Sequence, residues 1–447
     1  MPLKISISGV RGTVPDSLTP EVCLDLAKAF GTYLGKGTVV IGADPRRSSE
    51  FIKGIVFSGL LSTGIKVVDI GIAPTPTVGI MVRELAAAGG IVITASHNPL
   101  PWNGLKFMRG DGVFLNEEQA TKFLKLYEGK VFKQAPTKTK GVKIVNTALD
   151  KHIARVLKAV NPLAIRLKKF RVAVDGCNGA GSVALPRLLA RLGCKVFTVN
   201  CDTRLPFPHD PEPVPANLGE LAELVKEKKA DLGLAVDSDA DRLAVVSEEG
   251  IPIGEELTLA LVVKFLLGRR FPISTKKRIV VSNLSTTKAL DDLAREYGAL
   301  SIRTKVGEVN VVEQIKSLKA LVGGEGNGGV IYPKVGLNRD SLAGAALLLN
   351  YLAAAGKKLS RLAAGLPHYE MIKTKLECAS QDEANDVIEK AKRNFKGNDL
   401  VLTEGVKVLL PDAWVHIRAS NTEPIIRIIA EARTKAQAEE LIRRITA

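Results

Sequence analysis

Aromatic side chains are scarce in this chain of 447 residues, at 5% of the sequence, which leaves few platforms on which bases could stack. Cysteine is scarcer: Cys23, Cys177, Cys194, Cys201 and Cys378 are all there are. An odd count without paired Cys-x-x-Cys spacing argues against a disulfide framework or a thiolate metal site, and suits reduced packing residues in a cytoplasm. Long apolar runs are missing too. None approaches the ~18 residues of a membrane span, and the longest, Leu342 to Ala355, contains Asn350 and reads as a buried helix. The first residues, Met1-Pro2-Leu3-Lys4-Ile5-Ser6, carry no apolar segment of the kind that directs export. A cytoplasmic protein with no membrane partner is expected.

What is abundant is positive charge. Lys and Arg number 63 against 47 Asp and Glu, a net charge of +16. Basic surface can neutralise nucleic-acid phosphates, or it can focus small phosphorylated substrates into a cleft. The excess is spread along the chain, with modest clusters near Lys138, Lys168 and Arg269, and with so few aromatics the small-phosphate reading is favoured.

The length suggests about two to four domains. Strand and helix patterns alternate through most of the chain, with apolar strands at Val39–Gly42, Lys66–Ile70, Phe170–Asp175, Leu232–Val236 and Arg278–Ser282. This predicts α/β units over 1–150, 151–249 and 250–366. A C-terminal α+β segment over 367–447 has strands at Val401–Leu410, Trp414–Ile417 and Ile425–Ala430 between helices at Gln381–Phe395 and Thr434–Thr446. In α/β units ligands bind beyond the carboxyl ends of strands.

Two sites follow such strands. The run Ile91-Val92-Ile93 leads into Thr94-Ala95-Ser96-His97-Asn98-Pro99, then Asn103-Gly104-Leu105-Lys106. Ser96 is expected in a rigid turn open to solvent, with His97 beside it and Lys106 ten residues on, the setting of a nucleophile. A polar turn with a stray histidine is the plain alternative. Further on, Leu234-Ala235-Val236 runs into Asp237-Ser238-Asp239-Ala240-Asp241-Arg242 and then Leu243-Ala244-Val245-Val246. Three carboxylates at alternate positions of a strand-to-strand turn repel one another unless a cation compensates, and they suit Mg²⁺ bound jointly with a phosphate. An EF-hand is excluded by Arg242 at its glycine position and by strand flanks. Aspartyl-phosphatase chemistry is the weaker rival, since Ser96 already offers a nucleophile.

Together these loops resemble the α-D-phosphohexomutase superfamily, over essentially the whole chain and with four motifs in the family's order. Thr94–Pro99 is similar to its phosphoserine loop, and Asp237–Arg242 to its DGDGDR metal loop with Ser238 and Ala240 for the glycines. Gly324-Glu325-Gly326-Asn327-Gly328-Gly329 stands at its GExSGH sugar loop. Arg418-Ala419-Ser420-Asn421-Thr422-Glu423-Pro424, with Arg427, resembles its phosphate-binding loop. Smaller matches are Ser8–Gly12, Gly42–Arg46, Ala73–Thr77 and Thr304–Gly307.

The resemblance implies three similar α/β domains plus a C-terminal α+β domain around a central active-site cleft. It also implies a ping-pong exchange: phosphorylated Ser96 gives its phosphoryl group to a hexose phosphate, and the hexose 1,6-bisphosphate turns over and returns the other group. Mg²⁺ would lie on Asp237, Asp239, Asp241 and the phosphoserine. Arg11 and Lys106 would manage the hydroxyl proton, His97 would orient the phosphate and Arg242 would neutralise it. Lys305, Glu325 and Asn327 would contact the sugar, and Arg418, Ser420, Asn421, Thr422 and Arg427 the unreactive phosphate. Asn327 stands where serine is usual and Gly329 where histidine is usual. The GEGNGG form is similar to the archaeal-type phosphoglucosamine mutase branch, making glucosamine phosphate the leading substrate. A phosphomannomutase/phosphoglucomutase is the close alternative. A metal-dependent phosphatase and a basic nucleic-acid-binding protein are the alternatives of other classes.

Overall fold

A computed structural model describes residues 3–7, 9–135, 141–269, 278–378, 380–419 and 425–446. Its contacts divide the chain into two compact units, one of residues 1–265 with 327–363, the other of 266–326 with 364–447.

In the first unit, a seven-stranded sheet runs in the order Lys4–Ser6, Gly9–Thr13, Trp102–Arg109, Gly89–Ile93, Thr38–Ala43, Lys66–Ile72, Lys143–Ile144. Thr38–Ala43 is parallel to both Gly89–Ile93 and Lys66–Ile72. Both faces of these strands are apolar, so alternate residues enter different cores. Val39, Ile41, Ile91 and Ile93 pack with Leu26, Ile52, Val56 and Phe123 from the helices Pro20–Leu34, Arg47–Ser62 and Glu117–Glu128. Val40, Val68 and Val92 pack the other way, against Val78, Met81 and Val82 of the helix Thr75–Glu84. Trp102–Arg109, read from sequence only as a continuation of the serine loop, is a strand antiparallel to Gly89–Ile93. The serine loop is therefore the connection of an antiparallel pair, tied down at both ends.

The second sheet of this unit has the order Leu243–Ser247, Leu232–Val236, Arg171–Asp175, Lys195–Val199. Leu232–Val236 is antiparallel to Leu243–Ser247, so residues 237–242 form the turn of a hairpin whose strands are buried throughout. The glycine-rich turn Gly176–Gly181 supports that hairpin. The Ala180 N–H donates to the Ser238 carbonyl at 2.8 Å, and a Cβ on Gly179 would lie 2.6 Å from the same oxygen. The helix Ser341–Ala355 is capped by Asp340, whose Oδ1 accepts from the N–H groups of Leu342 and Ala343. It passes uninterrupted through Asn350, whose Oδ1 accepts from the Asn161 N–H at 3.0 Å.

In the second unit, Ile279–Asn283 is parallel to Leu300–Thr304 and to Val322–Glu325, with the helices Ala289–Glu296 and Glu308–Leu318 between them in sequence. A five-stranded antiparallel sheet follows in the order Glu370–Glu377, Ile425–Ala432, Ala413–Ala419, Val406–Leu410, Asp399–Val401. The helices Gln381–Asn394 and Lys435–Thr446 cover it through Ile388, Ala391, Ala438 and Leu441. The expected single strand Val401–Leu410 is in fact two strands joined by a turn at residues 402–405. Gly405 is left-handed there (φ +59°), and a Cβ would meet the Ile417 carbonyl at 2.1 Å. The α/β segments and the C-terminal α+β segment thus have the expected class of fold.

Gly179→Ala forces a methyl group onto the backbone of the Asp hairpin. It should cost about 1–3 kcal/mol, the usual range for overpacking. Urea unfolding checks this; an unchanged midpoint would show that the close approach carries no weight.

Candidate active site

The serine loop and the Asp hairpin lie together in the first unit. Ser96 has a left-handed backbone (φ +51°) and is 1% exposed, not open to solvent as expected. Its Oγ is turned inward by the acceptor it meets: it donates to Asp237 Oδ2 at 2.9 Å. The turn is held by polar links from below. The Ser96 N–H donates to Thr94 Oγ1, and Thr94 Oγ1 donates to Asp44 Oδ2 at 2.7 Å. The Arg46 guanidinium donates to four carbonyls of the loop, those of Ser96, Asn98, Pro99 and Trp102, at 2.6–2.9 Å. Ser238 replaces a glycine and adds a tie, its Oγ lying 2.7 Å from the Ser96 carbonyl and 3.0 Å from Asp44 Oδ2.

Asp237, Asp239 and Asp241 are fully buried, each offering an oxygen within 4.8 Å of the others. Each carboxylate spends one oxygen on its own positioning. Asp237 Oδ1 accepts from the N–H groups of Asp241 and Arg242. Asp239 Oδ2 accepts from Lys106 Nζ at 2.6 Å and Thr75 Oγ1 at 2.5 Å. Asp241 Oδ2 accepts from Arg339 Nη2 at 2.6 Å. The other oxygens of Asp239 and Asp241 are buried with no hydrogen-bond partner. Orphaned carboxylate oxygens in so small a space fit a hard divalent cation. Burial and then the charges of Asp241 and Asp239 push Asp237 well above the usual carboxylate range. Burial opposes ionisation of Asp239 as well, but the Lys106 charge and hydrogen bond outweigh it and hold that carboxyl well below the range.

Around this core stand the other expected residues. Arg11 Nη1 donates to Asn98 Oδ1 at 3.0 Å, and burial lowers its pKa. His97 is pushed down to about 2 by burial and by Arg242, Arg11 and Lys106, and its buried Nδ1 has no partner. A neutral imidazole among three cations is a group whose charge an incoming phosphate would favour. Arg242 Nη1 pairs with Glu212 at 2.7 Å, while its Nε lies 3.9 Å from both Asp237 and Asp241.

The second unit holds Lys305, Glu325, Arg418 and Arg427. Glu325 Oε1 accepts from Asn283 Nδ2 and the Gly307 N–H, which fixes a buried carboxylate; Lys305, two residues before Gly307, is exposed. Arg418 and Arg427 face each other across neighbouring strands, and Lys375 is opposite Arg427 on the next. Cross-strand partners share a sheet face and like charges there are destabilising, so this row of three cations suits an anion. The Arg418 Nε is buried without a partner, and its Nη1 reaches Glu404 at 3.3 Å. Asn327, of the first unit, turns its Oδ1 onto the Gly329 N–H at 3.2 Å, so that oxygen serves its own loop. Ser420, Asn421 and Thr422 lie outside the described residues.

Sequence reasoning passed over Asp44, Arg46, Thr75, Arg339, Lys375 and Glu404. Asp44, Arg46 and Thr75 stand inside short stretches already matched to the family, so position alone could have flagged them. The others carry no local signal.

The four domains described as phosphoglucomutase/phosphomannomutase α/β/α domains I, II and III and C-terminal domain match residues 3–134, 150–250, 255–369 and 371–447. The chain belongs to this family. It is a phosphohexomutase, an isomerase that works by intramolecular phosphotransfer. The phosphoglucomutase/phosphomannomutase of Thermococcus kodakarensis is 39% identical over 97% of this chain and 95% of that protein. A "probable phosphoglucosamine mutase" of Methanopyrus kandleri is 37% identical over 97% and 95%. Among solved structures, a phosphoglucomutase/phosphomannomutase family protein of Burkholderia thailandensis has a TM-score of 0.84 at 26% identity, covering 99% of this chain and 97% of that one. No helix among the described residues of this phosphohexomutase is long and apolar enough to cross a membrane.

A pH signature follows from His416, whose Nδ1 pairs with Ser285 Oγ and whose Nε2 meets the Glu404 carbonyl. Burial, with Lys407 and Arg418, lowers it from 6.5 to about 4. Between these values the unfolded chain binds a proton that the folded chain refuses, so stability is whole above the window and falls with pH inside it. His416→Gln should flatten that fall by up to about 1.4 kcal/mol per pH unit. Urea midpoints across the window test it, and parallel pH slopes for both proteins would refute it.

Proposed function

We propose that this phosphohexomutase interconverts the 6- and 1-phosphates of glucosamine through phosphorylated Ser96 and a hexose 1,6-bisphosphate. The observation that carries the mechanism is the Ser96 hydroxyl on Asp237, beside carboxylate oxygens that lack partners. In the first half-reaction the bond from Ser96 Oγ to phosphorus breaks, the free sugar hydroxyl bonds to phosphorus, and the proton it loses ends on the Ser96 oxygen, restoring the hydroxyl. The second half-reaction reverses this at the other end of the sugar, and Ser96 regains a phosphoryl group. Asp237, Asp239 and Asp241 would hold Mg²⁺, which supplies neutralisation of charge developing on phosphoryl oxygens.

The chain's own groups do the rest. Arg11, a poor base, stabilises charge, while Lys106 manages the hydroxyl proton from its place on Asp239. His97 and Arg242 address the transferring group. Arg418 and Arg427 grip the unreactive phosphate, joined by Ser420, Asn421 and Thr422; Glu325, Lys305 and Asn327 read the sugar. The glucosamine assignment is supported by the GEGNGG loop and by the name of the Methanopyrus kandleri relative. The Thermococcus kodakarensis relative keeps glucose and mannose phosphates in the comparison.

After incubation with hexose 1,6-bisphosphate, intact mass should show a phosphate adduct that Ser96→Ala loses together with mutase activity. Full activity in that variant would end the phosphoserine mechanism. In a substrate panel, glucosamine phosphate should give the highest kcat/KM; a higher value for glucose or mannose phosphate reassigns the substrate, and stoichiometric release of phosphate makes the protein a phosphatase.

Arg427→Ala removes charged hydrogen bonds of roughly 1.5–3 kcal/mol, on the order of 10- to 150-fold in kcat/KM. The 1- and 6-phosphates use the same arginines in turn, so both directions should suffer together. Strong impairment of one direction alone would show that Arg427 serves no shared phosphate.

A further inference from the structure

Gly329 and Arg339 are packed against each other in a way that reaches the Asp hairpin. A Cβ on Gly329 would stand 2.2 Å from Arg339 Cδ and 2.8 Å from its Cγ. No side chain fits at 329 while Arg339 keeps its course. That course is tightly held. The Asp340 N–H donates to the Val330 carbonyl at 2.8 Å, Asp340 Oδ2 meets buried His152 Nε2 at 2.8 Å, and Ser341 Oγ donates to the Ala240 carbonyl at 2.7 Å. From this anchored start the Arg339 side chain, 11% exposed, crosses Gly329 and places Nη2 on Asp241 Oδ2 at 2.6 Å.

The contact decides how Asp241 can bind a cation. With Oδ2 hydrogen-bonded to Arg339 and Lys106 Nζ 3.7 Å from it, the buried Oδ1 is left without a hydrogen-bond partner, Arg242 Nε lying 3.9 Å off. Lys106 and Thr75 do the same for Asp239, and two backbone N–H groups hold Asp237 Oδ1, leaving its Oδ2 to the Ser96 hydroxyl. Each carboxylate therefore offers one oxygen. Mg²⁺ takes few protein oxygens in a strict octahedron, whereas Ca²⁺ takes 6–8 and accepts bidentate carboxylates. We propose that Gly329 and Arg339 act as a pair: the glycine clears the path of the arginine, and Arg339 is a positioning residue that keeps Asp241 a one-oxygen ligand and so favours Mg²⁺ over Ca²⁺. This rests on the reading of the Asp hairpin as a metal site.

Charge and geometry separate in the test. Removing a cation near the hairpin strengthens binding of both ions by a similar factor, while freeing Asp241 Oδ2 changes their ratio. Calorimetric titration of the full chain with Mg²⁺ and with Ca²⁺ gives the ratio of the two Kd values. In Arg339→Ala the preference for Mg²⁺ should fall by about 10-fold or more, the scale of outer-shell changes at metal sites. Arg339→Lys, which keeps the charge, should retain part of it. Gly329→Ala keeps the arginine but blocks its path, so its ratio should move as in Arg339→Ala, and the double variant should move no further. Equal shifts for both ions in Arg339→Ala would make the residue a mere counter-charge. A wild-type ratio in Gly329→Ala, or additive effects in the double variant, would break the pair. If the unaltered chain binds neither ion, the metal reading itself falls, and this proposal with it.

Discussion

Three carboxylates with no access to water, held in one hairpin turn, are the constraint around which the first unit is arranged. Buried like charges interact far more strongly than exposed ones, because little solvent screens them. Their repulsion is offset piece by piece, by Lys106 from one strand, Thr75 from a helix start, Arg339 from a helix cap and backbone N–H groups from the turn itself. The donors come from segments far apart in sequence. Folding of the hairpin therefore depends on the surrounding elements being in place, and these elements are tied to one another through it.

Packing elsewhere is mainly aliphatic, with Phe30, Phe107 and Phe123 clustered in one core and Met81 and Met108 in the other, because the strands are short, apolar on both faces and flanked by helices. In the second unit the same economy places cations in a row. Arg418, Arg427 and Lys375 come from three adjacent strands, so their spacing is set by the sheet and not by flexible loops.

Much of this was legible from sequence, for identifiable reasons. The Asp hairpin was readable because alternate acids between two apolar runs have few stable explanations. Most strands were readable because short apolar runs rich in β-branched residues ended at glycine, aspartate or asparagine. Ser96 was misjudged as open, since a turn after a buried strand usually faces water; what turned it inward was Asp237, 141 residues away in sequence. Arg339 and Glu404 escaped for the same reason, because a long-range partner leaves no trace in local spacing. The strand Val401–Leu410 was misread because apolar residues flank a turn marked only by Gly405.

The grip of Arg46 on four main-chain carbonyls has a consequence for how such a loop can change over time. The hydrogen bonds by which the arginine holds the path of residues 96–102 go to main-chain carbonyls. Substitutions at 97, 98 and 100 can therefore alter what the loop presents while its trajectory stays put. Path and chemistry are set separately, so the side chains around Ser96 can change while its hydroxyl keeps its place on Asp237.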